Sequence, residues 1–454
     1  MTQHLSPDEI RSLFARAMSR MYRDEVPLYG TLMALVSEVN AATLASDAAL
    51  AGRLQRSDAL DRLDEERHGA IRVGTPRELA TLRRMFAVMG MAPVGYYDLA
   101  VAGVPVHATA FRPVDAASLA RNPFRVFTSL LRLELIEDSA LRAEAARILD
   151  AREIFTPRAL ALIERFEQAG GLSADEAAEF VGEALETFRW HSEATVPHAT
   201  YQALLAAHRL VADVVCFRGP HINHLTPRTL DIDAAQTAMQ ARGIDAKAVI
   251  EGPPRRKCPI LLRQTSFKAL QEPVLFPSGD GGDAGTHTAR FGEIEQRGLA
   301  LTPKGRALYD ELLGRARAAG GAGSTGDDYG TRLAAAFADF PDDDDTLRRE
   351  GLGYYRYTLT DAGRADPARV TGSTLDEAIA SGLVAADPVV YEDFLPVSAA
   401  GIFQSNLGGG EQRAYAAQAN QAAFEAALGA QVHDQFEIYA VMERESLKAL
   451  GIAG

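Results

Sequence analysis

The sequence predicts an α+β fold in which paired βαβββ modules form a curved sheet, with added helical layers around it. Two observations carry this prediction. The first is an internal repeat. Arg67-His68-Gly69-Ala70-Ile71-Arg72 and Asn223-His224-Leu225-Thr226-Pro227-Arg228 share one pattern, a histidine followed four residues later by an arginine. The two histidines stand 156 residues apart (224 − 68). The second is the element order after each copy. A helical segment ends near glycine, Gly90 in one and Gly243 in the other, and strand-like segments come next. A strand-helix-three-strand unit cannot bury both faces of its sheet alone. Two copies can pair and close a sheet around a central cup.

Residues 1–66 read as an N-terminal helical segment. Ser6-Pro7-Asp8-Glu9 is a helix-start signal, and apolar residues recur at helical spacing from Ile10 through Leu63. Residues 67–138 are the first module, with a strand at 69–73, a helix over 75–88 and strand-like pieces at 95–101, 104–111 and 126–136. Residues 139–215 read as a helical insertion of Ala-rich amphipathic segments, broken at 170–175 by a glycine pair and a capping signal. Residues 216–300 are the second module, with a strand at 224–227, a helix over 233–241 and strand-like pieces at 248–250, 260–270 and 289–296. The Gly-rich stretch 278–285 reads as a surface loop. Residues 301–454 form a C-terminal mixed helical region that completes the pocket, with a linker at 320–326 and terminal helices over 410–451.

Composition bounds the function. The chain has 454 residues, 47% hydrophobic and 24% charged, as expected of a globular protein. Its formal net charge of -14 disfavours nucleic-acid backbones as partners. No uninterrupted apolar run long enough for a membrane span is read, and the start lacks the basic-then-apolar order of a secretory signal. Cys216 and Cys258 have no metal-ligand spacing. A reducing, cytoplasmic location is expected.

Equivalent positions in paired modules point at one spot, so His68 and His224 are candidate metal ligands. A carboxylate on a late strand would complete the set. Glu293 and Glu295 both qualify, because alternate residues of a strand share a face. Two histidines and one carboxylate leave the other side of a metal open, which suits iron(II) enzymes that take both a substrate and dioxygen. His221 is three residues from His224, so on a strand it faces the other way and is read as structural or as a support for the site.

At these residues the chain resembles the vicinal oxygen chelate superfamily. Glu293-Ile294-Glu295-Gln296-Arg297 resembles the Glu-x-x-Gln-Arg end strand of the 4-hydroxyphenylpyruvate dioxygenase group, whose glutamate is an iron ligand. That likeness favours Glu293 over Glu295. Longer segments, 67–74, 219–233, 291–310 and 394–407, resemble the 2-oxoadipate dioxygenase/decarboxylase family, also called hydroxyglutarate synthase. The resemblance implies Fe(II) held by His68, His224 and Glu293. It also implies substrate contacts from Arg72, Val397 and Ser398. The implied reaction converts 2-oxoadipate and O2 to 2-hydroxyglutarate and CO2 in lysine catabolism. The alternatives are a glyoxalase-like isomerase or ring-cleaving dioxygenase of the same superfamily, and a non-catalytic metal-binding or regulatory protein. The stretch 301–308 looks like the helix entry of a winged-helix regulator, but the acidic balance opposes that reading.

Overall fold

The computed structural model describes residues 4–57, 59–278, 282–288, 290–319, 326–395 and 411–451. Helices α1 (Pro7–Glu25), α2 (Pro27–Ser46) and α3 (Ala48–Arg56) open the chain. Ser6 and Glu9 form a reciprocal capping box that starts α1. By length and composition α2 could cross a membrane. Here it packs through Tyr29, Leu32, Leu35 and Val36, and its Asn40 side chain bonds the backbone of Arg228 and Leu230.

The first module comprises β1 (Arg67–Val73), α4 (Pro76–Val88), β2 (Ala92–Asp98), β3 (Val106–Arg112) and β4 (Arg125–Leu131). Thr75 caps α4, with Pro76 pre-set in its first turn and Glu78 completing the box. The helical stretch after β4 ends in α5 (Arg209–Val215). The second module comprises β5 (Leu225–Pro227), α6 (Ile232–Ala241), β6 (Leu262–Ser266) and β9 (Glu293–Arg297), with the hairpin β7 (Gln271–Phe276) and β8 (Asp283–Thr288) set between its last two strands.

The strand pairings repeat. In the first module β1 runs parallel to β4, β4 antiparallel to β3, and β3 antiparallel to β2. In the second, Arg228 beside β5 bridges Glu295 of β9 in parallel, β9 runs antiparallel to β6, and Gln264 of β6 bridges Glu251 antiparallel. The modules join through antiparallel β1 and β5, where Gly69 pairs with Leu225. Those two residues are also 156 apart (225 − 69), so they occupy equivalent places. An approximate two-fold axis therefore passes between them and sets His68 and His224 on either side of it.

Alternation along β1 separates two environments. Ile71 and Val73 enter a core with Phe14, Phe86 and Phe111. On the other face His68, Ala70 and Arg72 point into the cup, where Ala70 joins Phe127, Val214 and Phe394. A further core covers the C-terminal part, around the antiparallel pair β10 (Tyr355–Leu359) and β11 (Val384–Pro388). At the axis the backbones approach closely. A Cβ on Gly69 would lie 2.4 Å from Ile222 Cδ1 and 3.1 Å from the His224 carbonyl oxygen. Gly69→Ala is therefore expected to destabilise the protein by about 1–3 kcal/mol through overpacking, read as a lower urea midpoint at unchanged slope.

Two parts of the second module differ from the sequence reading. The expected strand at 248–250 contracts to the single bridge at Glu251. The hairpin β7–β8 was not visible in the sequence, because its buried face mixes Glu272 with Val274 and Phe276. Glu272 is tolerated there through its ion pair with Arg290.

Candidate metal centre

His68 lies in β1, His224 directly precedes β5, and Glu293 opens β9. All three are buried. Their ligand atoms lie within 4.8 Å of one another, and no second group of His, Cys, Asp or Glu with this geometry occurs among the described residues. Glu293 Oε1 is 3.2 Å from His68 Nε2 and 3.6 Å from His224 Nε2. It also accepts from Thr226 Oγ1 at 3.0 Å and from Gln264 Nε2 at 2.9 Å. The histidine rings meet edge to face at 5.3 Å.

The repeat explains why there are three donors. Arg72 pairs with Ser129 in the first module, as its equivalent Arg228 bridges Glu295 in the second. Glu293, two residues before Glu295, therefore stands where Phe127 stands in β4. Phe127 has no ligand atom and packs at a tilt against Phe394, which also packs on His68.

Glu295 shares the inward face with Glu293 but lies behind His68. Its Oε2 is 3.0 Å from His68 Nδ1, a charge contact and not a well-aligned hydrogen bond. Both Glu295 oxygens accept from Arg297, at 2.8 and 2.9 Å. Burial opposes its charge, but Arg297, His68 and Arg125 outweigh that and bring its pKa down to about 2. Glu295 thus supports the ring from the far side, the usual place of a carboxylate that orients a ligating histidine.

The donor set fits a divalent cation. Two donors at about 2.1 Å on adjacent corners of a metal lie about 3 Å apart, near the spacings found here. Burial pushes the His224 pKa down to about 4, which keeps its imidazole neutral and able to ligate. Burial also opposes a charge on His68, but Glu295 and Glu293 outweigh it and raise its pKa. A buried place that draws a proton onto an imidazole also draws a cation. Glu293 stays ionised despite burial, because His224 and His68 lower its pKa.

Behind the centre lies a buried ionic network. Glu66 accepts from Arg125 at 2.8 Å and from Arg228 at 3.0 Å. Glu392 pairs with Arg62 at 2.6 Å and with Arg125. Asp393 holds Arg112 through both oxygens, at 2.7 and 2.9 Å. The two repeat arginines therefore divide. Arg228 is tied into this network, while Arg72 lies at the other end of the cup, part-exposed, with Nη1 bonded to Asp213 Oδ2 at 2.8 Å. Val397 and Ser398 lie outside the described residues. His221 is buried and bonds Asn223 Nδ2 at 3.2 Å, with Asp213 at 3.3 Å. Sequence reasoning missed Thr226 and Gln264. Strand alternation offered a signal for Thr226, two residues from His224 on the same face.

A five-stranded sheet that joins the two modules, with β6 and β9 bridged to it at Arg228–Glu295 beside a buried His/His/Glu set, defines a duplicated α+β fold with a candidate metal centre. The 2-oxoadipate dioxygenase/decarboxylase family model matches residues 14–406. The chain is 58% identical over 453 residues to the Escherichia coli 2-oxoadipate dioxygenase/decarboxylase, covering 100% of both chains. It is 60% identical to that of Pseudomonas putida, over 98% of this chain and 97% of the relative. The crystal structure of the Pseudomonas putida hydroxyglutarate synthase in complex with 2-oxoadipate superposes with a TM-score of 0.92 at 58% identity, covering 99% of each chain. This chain belongs to the 2-oxoadipate dioxygenase/decarboxylase family and is an enzyme.

Proposed function

We propose that the chain is an iron(II)-dependent dioxygenase/decarboxylase that converts 2-oxoadipate and O2 to 2-hydroxyglutarate and CO2, as a cytoplasmic step of lysine degradation. The observation that carries this reading is the buried His68/His224/Glu293 set with Arg72 on the same inward face of β1. The stoichiometry closes with one substrate and one dioxygen. One oxygen atom of O2 enters the new carboxylate at the former oxo carbon and the other becomes the new hydroxyl, while CO2 leaves with the substrate's own carboxylate oxygens. The substrate supplies the electrons, so no second 2-oxo acid is consumed.

Iron(II), when bound, supplies the redox chemistry with dioxygen and the point at which a 2-oxo acid docks. His68, His224 and Glu293 would hold it, and a set of three protein donors would leave positions for the substrate and dioxygen. Thr226 and Gln264 donate to Glu293 and fix its carboxylate. Phe127 and Phe394 give the cup an apolar wall that excludes water. Arg72 orients one substrate carboxylate, and Val397 and Ser398 add further contacts to the acid.

Arg72→Ala is expected to lose about 2–5 kcal/mol of substrate interaction, seen as a raised KM, while iron content stays at the wild-type level. The test of the whole reading is anaerobic iron reconstitution followed by oxygen uptake with 2-oxo acids of graded length. One CO2 released per O2 consumed, with 2-oxoadipate preferred, is the expected result. Turnover without oxygen uptake would identify an isomerase instead.

A further inference from the structure

Asp213 has no part in the metal centre, yet it is among the most heavily engaged buried carboxylates in the protein. It comes from α5, in the helical stretch between the modules. Its Oδ2 accepts from Arg72 Nη1 at 2.8 Å. Its Oδ1 is 2.9 Å from His287 Nε2 and 3.3 Å from His221 Nε2. His287 belongs to β8, in the hairpin inserted into the second module, and its Nδ1 lies 3.0 Å from the Tyr201 hydroxyl. Trp190 stacks parallel to His287 and stands edge-on to His221. Both carboxylate oxygens of Asp213 are therefore fixed, one by two histidines and one by the arginine.

We infer that Asp213 is the positioning residue for Arg72: clamped by His221 and His287, it holds the guanidinium by Nη1 and leaves its other donors turned to a substrate carboxylate. An arginine presents five N–H donors in a planar fork. Asp213 takes only Nη1. An unrestrained arginine at the mouth of a cup would lose rotamer freedom on each binding event, whereas a clamped one has lost it on folding. The clamp also explains why two unrelated additions, the helical stretch and the β7–β8 hairpin, meet at this place. Arg228, equivalent to Arg72 in the repeat, instead meets Glu66 in the buried network. The assignment rests on the proposed role of Arg72 in substrate binding.

The test is a double-mutant cycle on iron-loaded enzyme with 2-oxoadipate, comparing Asp213→Asn, Arg72→Ala and the double variant. Asp213→Asn is expected to raise KM about tenfold or more, with kcat and iron content little changed. On top of Arg72→Ala it is expected to add almost nothing. If Asp213→Asn multiplies KM by the same factor in both backgrounds, Asp213 acts elsewhere and the inference falls. If Arg72→Ala alone leaves KM unchanged, the role of Arg72 falls and the inference with it. A fall in iron content equal to the fall in activity would mark Asp213 as merely structural. Should Asp213→Asn not fold, His287→Gln loosens the clamp from its far side and must raise KM selectively, or the inference is overturned.

Discussion

His68→Ala is expected to abolish iron binding and turnover together. The ring contributes Nε2 to the donor set and separates Glu293 from Glu295. Its removal leaves two donors and brings two buried carboxylates to face the same gap. Metal analysis of anaerobically reconstituted protein reads the effect directly, and a variant with full iron content would remove His68 from the centre. Glu295→Gln provides the graded companion. It retains all three donors and weakens only the support behind the ring, so affinity for iron is expected to fall by about 10–100-fold, not to vanish.

Arg125→Met is expected to cost about 3–5 kcal/mol of stability, because it strands buried carboxylates without their shared cation. Arg125 is fully buried in β4 and faces Glu66, Glu392 and Glu295. Chemical denaturation of the apo-protein isolates this cost from metal binding. The same network sets the response to acid. Glu392 and Glu295 are brought down to about 2, against the penalty of burial, by Arg62 and Arg125 around the first and Arg297 and His68 around the second. Each folded pKa is below its unfolded value. Their contribution is therefore fully present above the usual carboxylate range and is lost as pH falls through it towards about 2. An unfolding series over that window at fixed ionic strength checks the sign.

The sequence made the duplicated part of the site legible and left the rest obscure for physical reasons. His68 and His224 repeat within one chain, and the copy of a motif is visible without any structure. Glu293 and Glu295 could not be separated by spacing, since both side chains point inward from one strand. What separates them is the side of His68 that each approaches, which depends on how β9 registers against β5. The first module was readable in detail because Thr75, Pro76 and Glu78 announce α4 and Gly90 follows its end. The second was less so, because a hairpin interrupts it. Asp213 and His287 were not singled out, for nothing in the sequence shows what an aspartate inside the apolar run of α5 or a histidine on one strand of a regular hairpin will face. Only folding brings them to Arg72.

Phe127, standing where its sister module carries Glu293, bears on what a duplicated architecture can catalyse. With strict symmetry two histidines and two carboxylates would surround the ion. A six-coordinate cation would then keep two vacancies, enough for a chelating 2-oxo acid and nothing more. On the proposed function, a phenyl ring in place of one carboxylate would free a third position for dioxygen and line it with hydrocarbon. The inequality of the two halves would then separate chemistry on one bound molecule from chemistry between two.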